Sequence, residues 1–184
     1  MQINKDELLS ELINLTEKAI TAVKKFKTLN ATQLNLKNTS VQWSVLECIE
    51  HLNLYGDFYL PIIQNQLLGT SRRGNFPIFK AGIIGNYFAD LMKIDNGKIQ
   101  KMKAPKDKNP VDSSLSITTL DRFLKQAQLL QTLLKQAYTA DLTKIKTTIS
   151  LTKFIKLRLG DTLRFYVYHI ERHIVQAEKM IAYV

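Results

Sequence analysis

The chain has 184 residues, 45% of them hydrophobic and 23% charged, which suits a single domain over residues 1–184 with one core and excludes disordered and fibrous classes. Its formal net charge of +10 favours anionic partners without choosing among polyanions, membrane surfaces and acidic small molecules. Residues 1–7 (MQINKDE) lack the apolar stretch of a secretory signal, no run approaches a membrane span, and the lone Cys48 closes no internal disulfide; the expectation is a soluble, cytoplasmic protein.

Leu8, Leu12, Leu15, Ala19, Ala22 and Phe26 recur at alternating spacings of four and three, which lays one apolar stripe along a first helix over residues 5–28. The Asn-rich stretch of residues 30–43 reads as a loop. Ser44 stands three residues before Glu47, the pattern of a capping box, so a second helix begins there and runs through Val45, Ile49, Leu52, Tyr59 and Ile63 towards Gly69, with a kink expected at Pro61. Over residues 70–118 the periodicity weakens, although residues 78–92 have room for a short helix around Gly82 and Gly85. Lys98, Lys101, Lys103, Lys106 and Lys108 cluster there beside Pro105 and Pro110. With no aromatic side chain interleaved for base stacking, the cluster reads as a solvated loop rather than a nucleic-acid site. A third helix carries Leu120, Phe123, Ala127, Leu130, Leu134 and Ala137, capped by Thr118 or Thr119. Residues 141–159 mix β-branched residues with lysines and take no assignment. A fourth helix starts near Gly160-Asp161 and buries Leu163, Val167, Ile170, Ile174, Ala177 and Ile181. The sum is an all-α four-helix bundle in which the long crossover lets the second and third helices run parallel.

Beside the core stripe of the fourth helix runs a second line, Tyr166, His169, His173, Gln176 and Met180. The second helix has a similar line of Cys48, His51, Tyr55, Phe58 and Ile62. Two histidines one turn apart, joined by a third from a facing helix, offer three neutral nitrogens to a divalent transition metal and leave a fourth position open, an arrangement typical of catalytic sites. The spacing alone favours the plainer reading, histidines satisfied by hydrogen bonds at the edge of a core, because imidazoles often lie on half-buried helix faces.

The segment Trp43-Ser44-Val45-Leu46-Glu47-Cys48-Ile49-Glu50-His51-Leu52 resembles the DinB/YfiT-like segment in which a Trp-Ser helix start precedes a metal histidine. Leu159-Gly160-Asp161-Thr162-Leu163-Arg164-Phe165, running into His169-Ile170-Glu171-Arg172-His173-Ile174-Val175-Gln176, is similar to that family's closing H-x-x-R-H-x-x-Q helix. The motif-level likeness covers residues 43–59 and 159–180; the order of helices extends it over most of the chain. The resemblance implies an up-down-down-up bundle, zinc or nickel held by His51, His169 and His173, and a homodimer. Its members include thiol S-transferases that use low-molecular-weight thiols such as bacillithiol, and mycothiol-dependent maleylpyruvate isomerases.

Around these histidines, Glu47 has two readings, the capping box and an acceptor that orients His51, of which Ser44 favours the first. Glu50 is expected at the surface and Arg172 in a structural ion pair on another face of its helix. Gln176 is expected to hydrogen-bond water or substrate at the open position, and Tyr55 to offer a phenol to the cavity or simply to pack in the core. Cys48 as a fourth ligand would close the site. No phosphate-binding glycine loop, serine elbow or H-E-x-x-H is present. The expected function is metal-activated thiol S-transfer or hydrolysis on a small, acidic molecule, with Tyr55 and Gln176 as its catalytic residues. The alternatives are a non-catalytic metal-binding stress-response bundle and, last, a basic nucleic-acid binder; no specific nucleic-acid or membrane partner is expected.

Overall fold

Asn4 starts the first helix by accepting the backbone N–H groups of Asp6 at 2.9 Å and Glu7 at 3.1 Å on its side-chain oxygen. Acids in the first turn and lysines in the last suit the helix dipole of α1 (Lys5–Phe26). The computed structural model describes residues 1–39, 42–94, 102–111, 113–150 and 152–181. Along α1 the expected stripe is buried except at Leu15, which is half-buried, while Thr16 turns inward and returns its hydroxyl to the Leu12 carbonyl at 2.8 Å. The stretch expected as a loop holds a short helix, α2 (Ala31–Asn35), because Asn30 and Gln33 form a reciprocal capping box and Leu34 is buried.

The Ser44–Glu47 capping box is present at the head of α3 (Val45–Leu68), and Glu47 also pairs with Lys37 at 2.6 Å. α3 runs on past Pro61 to Leu68. The crossover supplies a strand, β2 (Ile78–Lys80), paired antiparallel with β1 (Gln2–Asn4), and a helix, α4 (Ile83–Met92), whose N-cap is Gly82. A 3-10 turn at Lys106–Lys108 follows; Lys98 and Lys101 lie outside the described residues. α5 (Thr118–Ala137) has Ile117 at its cap and no side-chain capping bond. In place of the expected threonine cap, the Thr119 and Leu120 N–H groups bond the Ser116 and Ile117 carbonyls at 3.0 Å, so a tight turn satisfies them. Residues 141–159, unassigned from sequence, contain an antiparallel hairpin of β3 (Lys146–Ile149) and β4 (Thr152–Arg158) with an irregularity between Thr148 and Ile149. It leads directly into α6 (Leu159–Ile181), one to two residues earlier than expected.

α1, α3, α5 and α6 form the bundle, α1 and α3 each packing against both α5 and α6. Directions follow from side-chain pairings. Lys27 meets Asp121 and Ser10 meets Tyr138, so α1 and α5 are antiparallel. His51 lies against His173 and Tyr59 against Phe165, so α3 and α6 are antiparallel. Asn53 donates to the Thr119 carbonyl while Asp57 accepts from Gln126, which makes α3 and α5 parallel. These directions run up-down-down-up, the order that the resemblance implies, with α3 and α5 parallel as the long crossover allows. Glu50, expected at the surface, is half-buried and joins α3 to α5 through Arg122 at 2.9 Å. Among the described residues, no helix is long and apolar enough to cross a membrane.

α4 is docked on α6 by a buried polar clamp. Asp161, 0% exposed, accepts the Gly82 N–H at 2.8 Å, and Arg164 reaches Asn86 at 2.9 Å and Asp90 at 3.1 Å. Burial raises the pKa of Asp161, against the pull of the Gly82 N–H and of Arg164. The approach requires a glycine, since a Cβ on Gly85 would stand 2.4 Å from Asp161 Oδ2. G85A should lower stability by about 1–3 kcal/mol, the usual cost of overpacking. Urea titration checks it, and an unchanged midpoint would show that α4 yields at no cost.

Candidate metal centre

His51 is placed by α3, and His169 and His173 by successive turns of α6; the three are 3%, 4% and 8% exposed. Their ring centroids are 4.6–5.0 Å apart, and one ligand nitrogen from each lies within 4.8 Å of the others. His51 Nε2 and His169 Nε2 are 3.2 Å apart, a separation suited to two nitrogens sharing an ion at about 2.1 Å. The sequence-predicted trio is brought together by the antiparallel packing of α3 on α6.

The hydrogen bonds set the chemistry of these rings. A carbonyl only accepts, so the 2.6 Å contact from His51 Nδ1 to the Lys108 carbonyl requires Nδ1–H and leaves Nε2 as a lone pair. His173 Nδ1 donates in the same way to Gln176 Oε1 at 2.9 Å. His169 Nδ1 is buried and has no hydrogen-bond partner among the described residues. The rings thus bring more lone pairs than donors. If His169 donated Nε2–H to His51, its own Nδ1 lone pair would be stranded, and His173 Nε2 would remain unmatched. A cation shared by the three Nε2 atoms takes up the lone pairs that converge there, whereas His169 Nδ1 lacks a partner among the described residues with or without it, so the facing Nε2 atoms are what fits a divalent metal.

Electrostatics point the same way. Burial lowers the pKa of His51 to about 4, with the Lys108 charge adding to the shift and the Lys108 carbonyl bond opposing it. His169 and His173 lie well below the ordinary imidazole value, first through burial and then through the neighbouring histidines and Arg172. All three are neutral at pH 7, the state a metal ligand needs. Cys48, 0% exposed, is outside the ligand cluster, and burial pushes its thiol pKa up, so the fourth-ligand reading is dropped.

The histidines border a cavity of about 1390 Å³. Aromatic rings enclose them: Trp43 is 4.7 Å from His51, Tyr55 is 4.4 Å from His169, and Phe165 stacks on His169 at 5.8 Å. α4 adds Phe88, Leu91 and Met92, and the hairpin adds Ile149 and Leu157. Tyr55 and Gln176 both line this space, as expected. Burial raises Tyr55 to about 12, so it is a hydroxyl donor at neutral pH and no base. Gln176 differs from expectation in that its oxygen is committed to His173; its amide nitrogen makes no hydrogen bond among the described residues. Glu47 stays in its capping box. Arg172 departs most: it lines the cavity and has no carboxylate partner among the described residues. Burial lowers its pKa. Sequence reasoning missed the Lys108 carbonyl, since a backbone group in an irregular crossover carries no residue signal.

A family model described as the DinB superfamily matches residues 14–177. No curated protein and no solved structure matches the chain.

Proposed function

We propose, since the chain belongs to the DinB superfamily and holds a three-histidine candidate metal site, that it is a metal-dependent enzyme transferring a low-molecular-weight thiol to a small electrophile. The observation that carries this reading is the convergence of three neutral imidazoles, two held by acceptors on their far nitrogens, at the edge of a roomy cavity. A zinc or nickel ion held there would supply Lewis-acid chemistry, lowering the pKa of a thiol or water towards about 7. The Lys108 carbonyl and Gln176 orient His51 and His173 for that task, as acceptors behind metal-binding histidines do. Tyr55 can donate its hydroxyl proton in a hydrogen bond to an electrophile's oxygen. The described cavity lining contains Lys103, Arg172 and Lys179 but no carboxylate, which suits an acidic thiol cosubstrate and offers water no general base. S-transfer is therefore favoured over hydrolysis.

The test is conjugation of thiols to 1-chloro-2,4-dinitrobenzene by zinc-loaded, nickel-loaded and metal-stripped protein. The proposal expects turnover that depends on metal and saturates with thiol. Equal rates with and without metal would refute it, and thiol-independent cleavage of 4-nitrophenyl acetate by the loaded protein alone would reassign it as a hydrolase. Q176A should weaken zinc binding about 10–100-fold, the range for losing a ligand-orienting partner. Competition with a zinc indicator measures this, and unchanged affinity would show that His173 needs no help from Gln176.

A further inference from the structure

α6 carries two buried arginines with opposite circumstances. Arg164, 1% exposed, is matched by Asn86 at 2.9 Å, Asp90 at 3.1 Å and Asp161 at 3.6 Å. Arg172, 4% exposed, has one hydrogen bond among the described residues, from Nη1 to the Leu91 carbonyl at 3.4 Å, longer than the usual 2.7–3.2 Å. Among the described residues, no carboxylate lies within 4.0 Å of it. Arginine is almost never this buried unless paired, and a buried unpaired charge is costly. Arg172 lines the same cavity as the three histidines, whose described lining holds two further cations and no acid. The remaining walls are largely apolar and include the flat rings of Trp43, Tyr55, Phe88 and Phe165.

We propose that Arg172 receives the carboxylate of an acidic ligand with a planar, aromatic body, forming a subsite next to the histidine centre. The guanidinium presents parallel N–H groups that a carboxylate meets in a bidentate pair, and its single charge is neutralised by one carboxylate. The aromatic walls then cover the body of the ligand. This inference rests on reading the cavity as the substrate site, but it needs neither a particular metal nor a particular reaction.

Trp43, the only tryptophan, stands 4.7 Å from His51 and 5.8 Å from His173, so its fluorescence reports on the cavity. Full-length protein, zinc-loaded and metal-stripped, is titrated with phenylacetate and with its neutral isostere phenylacetamide. The inference expects the acid to bind about 10–100-fold tighter than the amide in both forms, as a charged hydrogen-bonded pair is worth that much. R172Q should erase the preference while zinc stoichiometry is kept, and R172K, with the charge but not the planar fork, should retain part of it. Equal or absent responses to acid and amide in wild type would overturn the inference whatever the variants do. A preference that survives in R172Q but vanishes on zinc removal would also overturn it, because the ion would then be the anion receptor. Zinc binding without the preference refutes the subsite and leaves the metal reading intact; an Arg172-dependent preference in protein that binds no zinc does the reverse.

Discussion

H169A should take bound zinc from about one ion per chain to almost none, because three neutral nitrogens hold such an ion far better than two. His169 is the sharpest place to cut. Its Nε2 lies 3.2 Å from that of His51, its ring contacts both other imidazoles, and it is 4% exposed. Losing an orienting partner costs about 10–100-fold in affinity, and losing the ligand itself should cost more, which ranks H169A below Q176A in zinc affinity. The fold should survive, since the stripes of α3 and α6 are untouched and His169 Nδ1 makes no hydrogen bond that would be lost. Elemental analysis with circular dichroism separates the effects. A folded H169A protein carrying a full equivalent of zinc would mean that His169 is not a ligand.

Metal-free protein should lose stability steeply as pH falls from about 6.5 to about 4. The sign follows from linkage. The unfolded chain protonates its histidines near pH 6.5, whereas burial holds His51 neutral down to about 4 and keeps His169 and His173 neutral well below the usual value. Between these limits the unfolded state binds more protons, so stability falls with falling pH and is fully present above about 6.5. For His51 the difference between 6.5 and about 4 amounts to on the order of 3 kcal/mol at about 1.4 kcal/mol per pKa unit, a large share of a marginal folding free energy. Zinc binds the native, deprotonated trio and should move the loss to lower pH. Denaturant titrations at pH 7, 5.5 and 4.5, with and without zinc, measure both effects. Stability that stays level or rises towards pH 4.5 in the metal-free protein would show that the imidazoles are protonated in the fold.

What could be read from sequence was what depends on periodicity and local capping. The alternating stripes of α5 and α6 are core stripes, apart from half-buried Ile181 at the end of α6, and the Ser44–Glu47 box heads α3. The grouping of His51 with His169 and His173 was legible only in part from their places beside core stripes, which suit core histidines as well; the likeness of residues 43–59 and 159–180 to the DinB/YfiT-like motifs is what joined them into one site. The hairpin of β3 and β4 was not, since its strands are short, carry lysines and are stabilised by pairing across a turn rather than by a repeating face. α2 hid in a polar stretch because its capping pair, Asn30 and Gln33, precedes only one buried apolar residue, Leu34. Arg172 was misplaced for a different reason. Helical rotation sets it apart from the histidine line, but α4 comes down from the crossover and encloses that side as well, turning an outer face into a cavity wall.

The most direct test of the central claim is X-ray absorption at the zinc edge of the loaded protein. The three-histidine centre predicts three nitrogen scatterers at about 2.0–2.1 Å with the imidazole outer-shell signature, one further light atom at the open position and no sulfur. A sulfur shell at about 2.3 Å would put Cys48 on the ion, and a spectrum of hydrated zinc without imidazole would show that His51, His169 and His173 hold no metal.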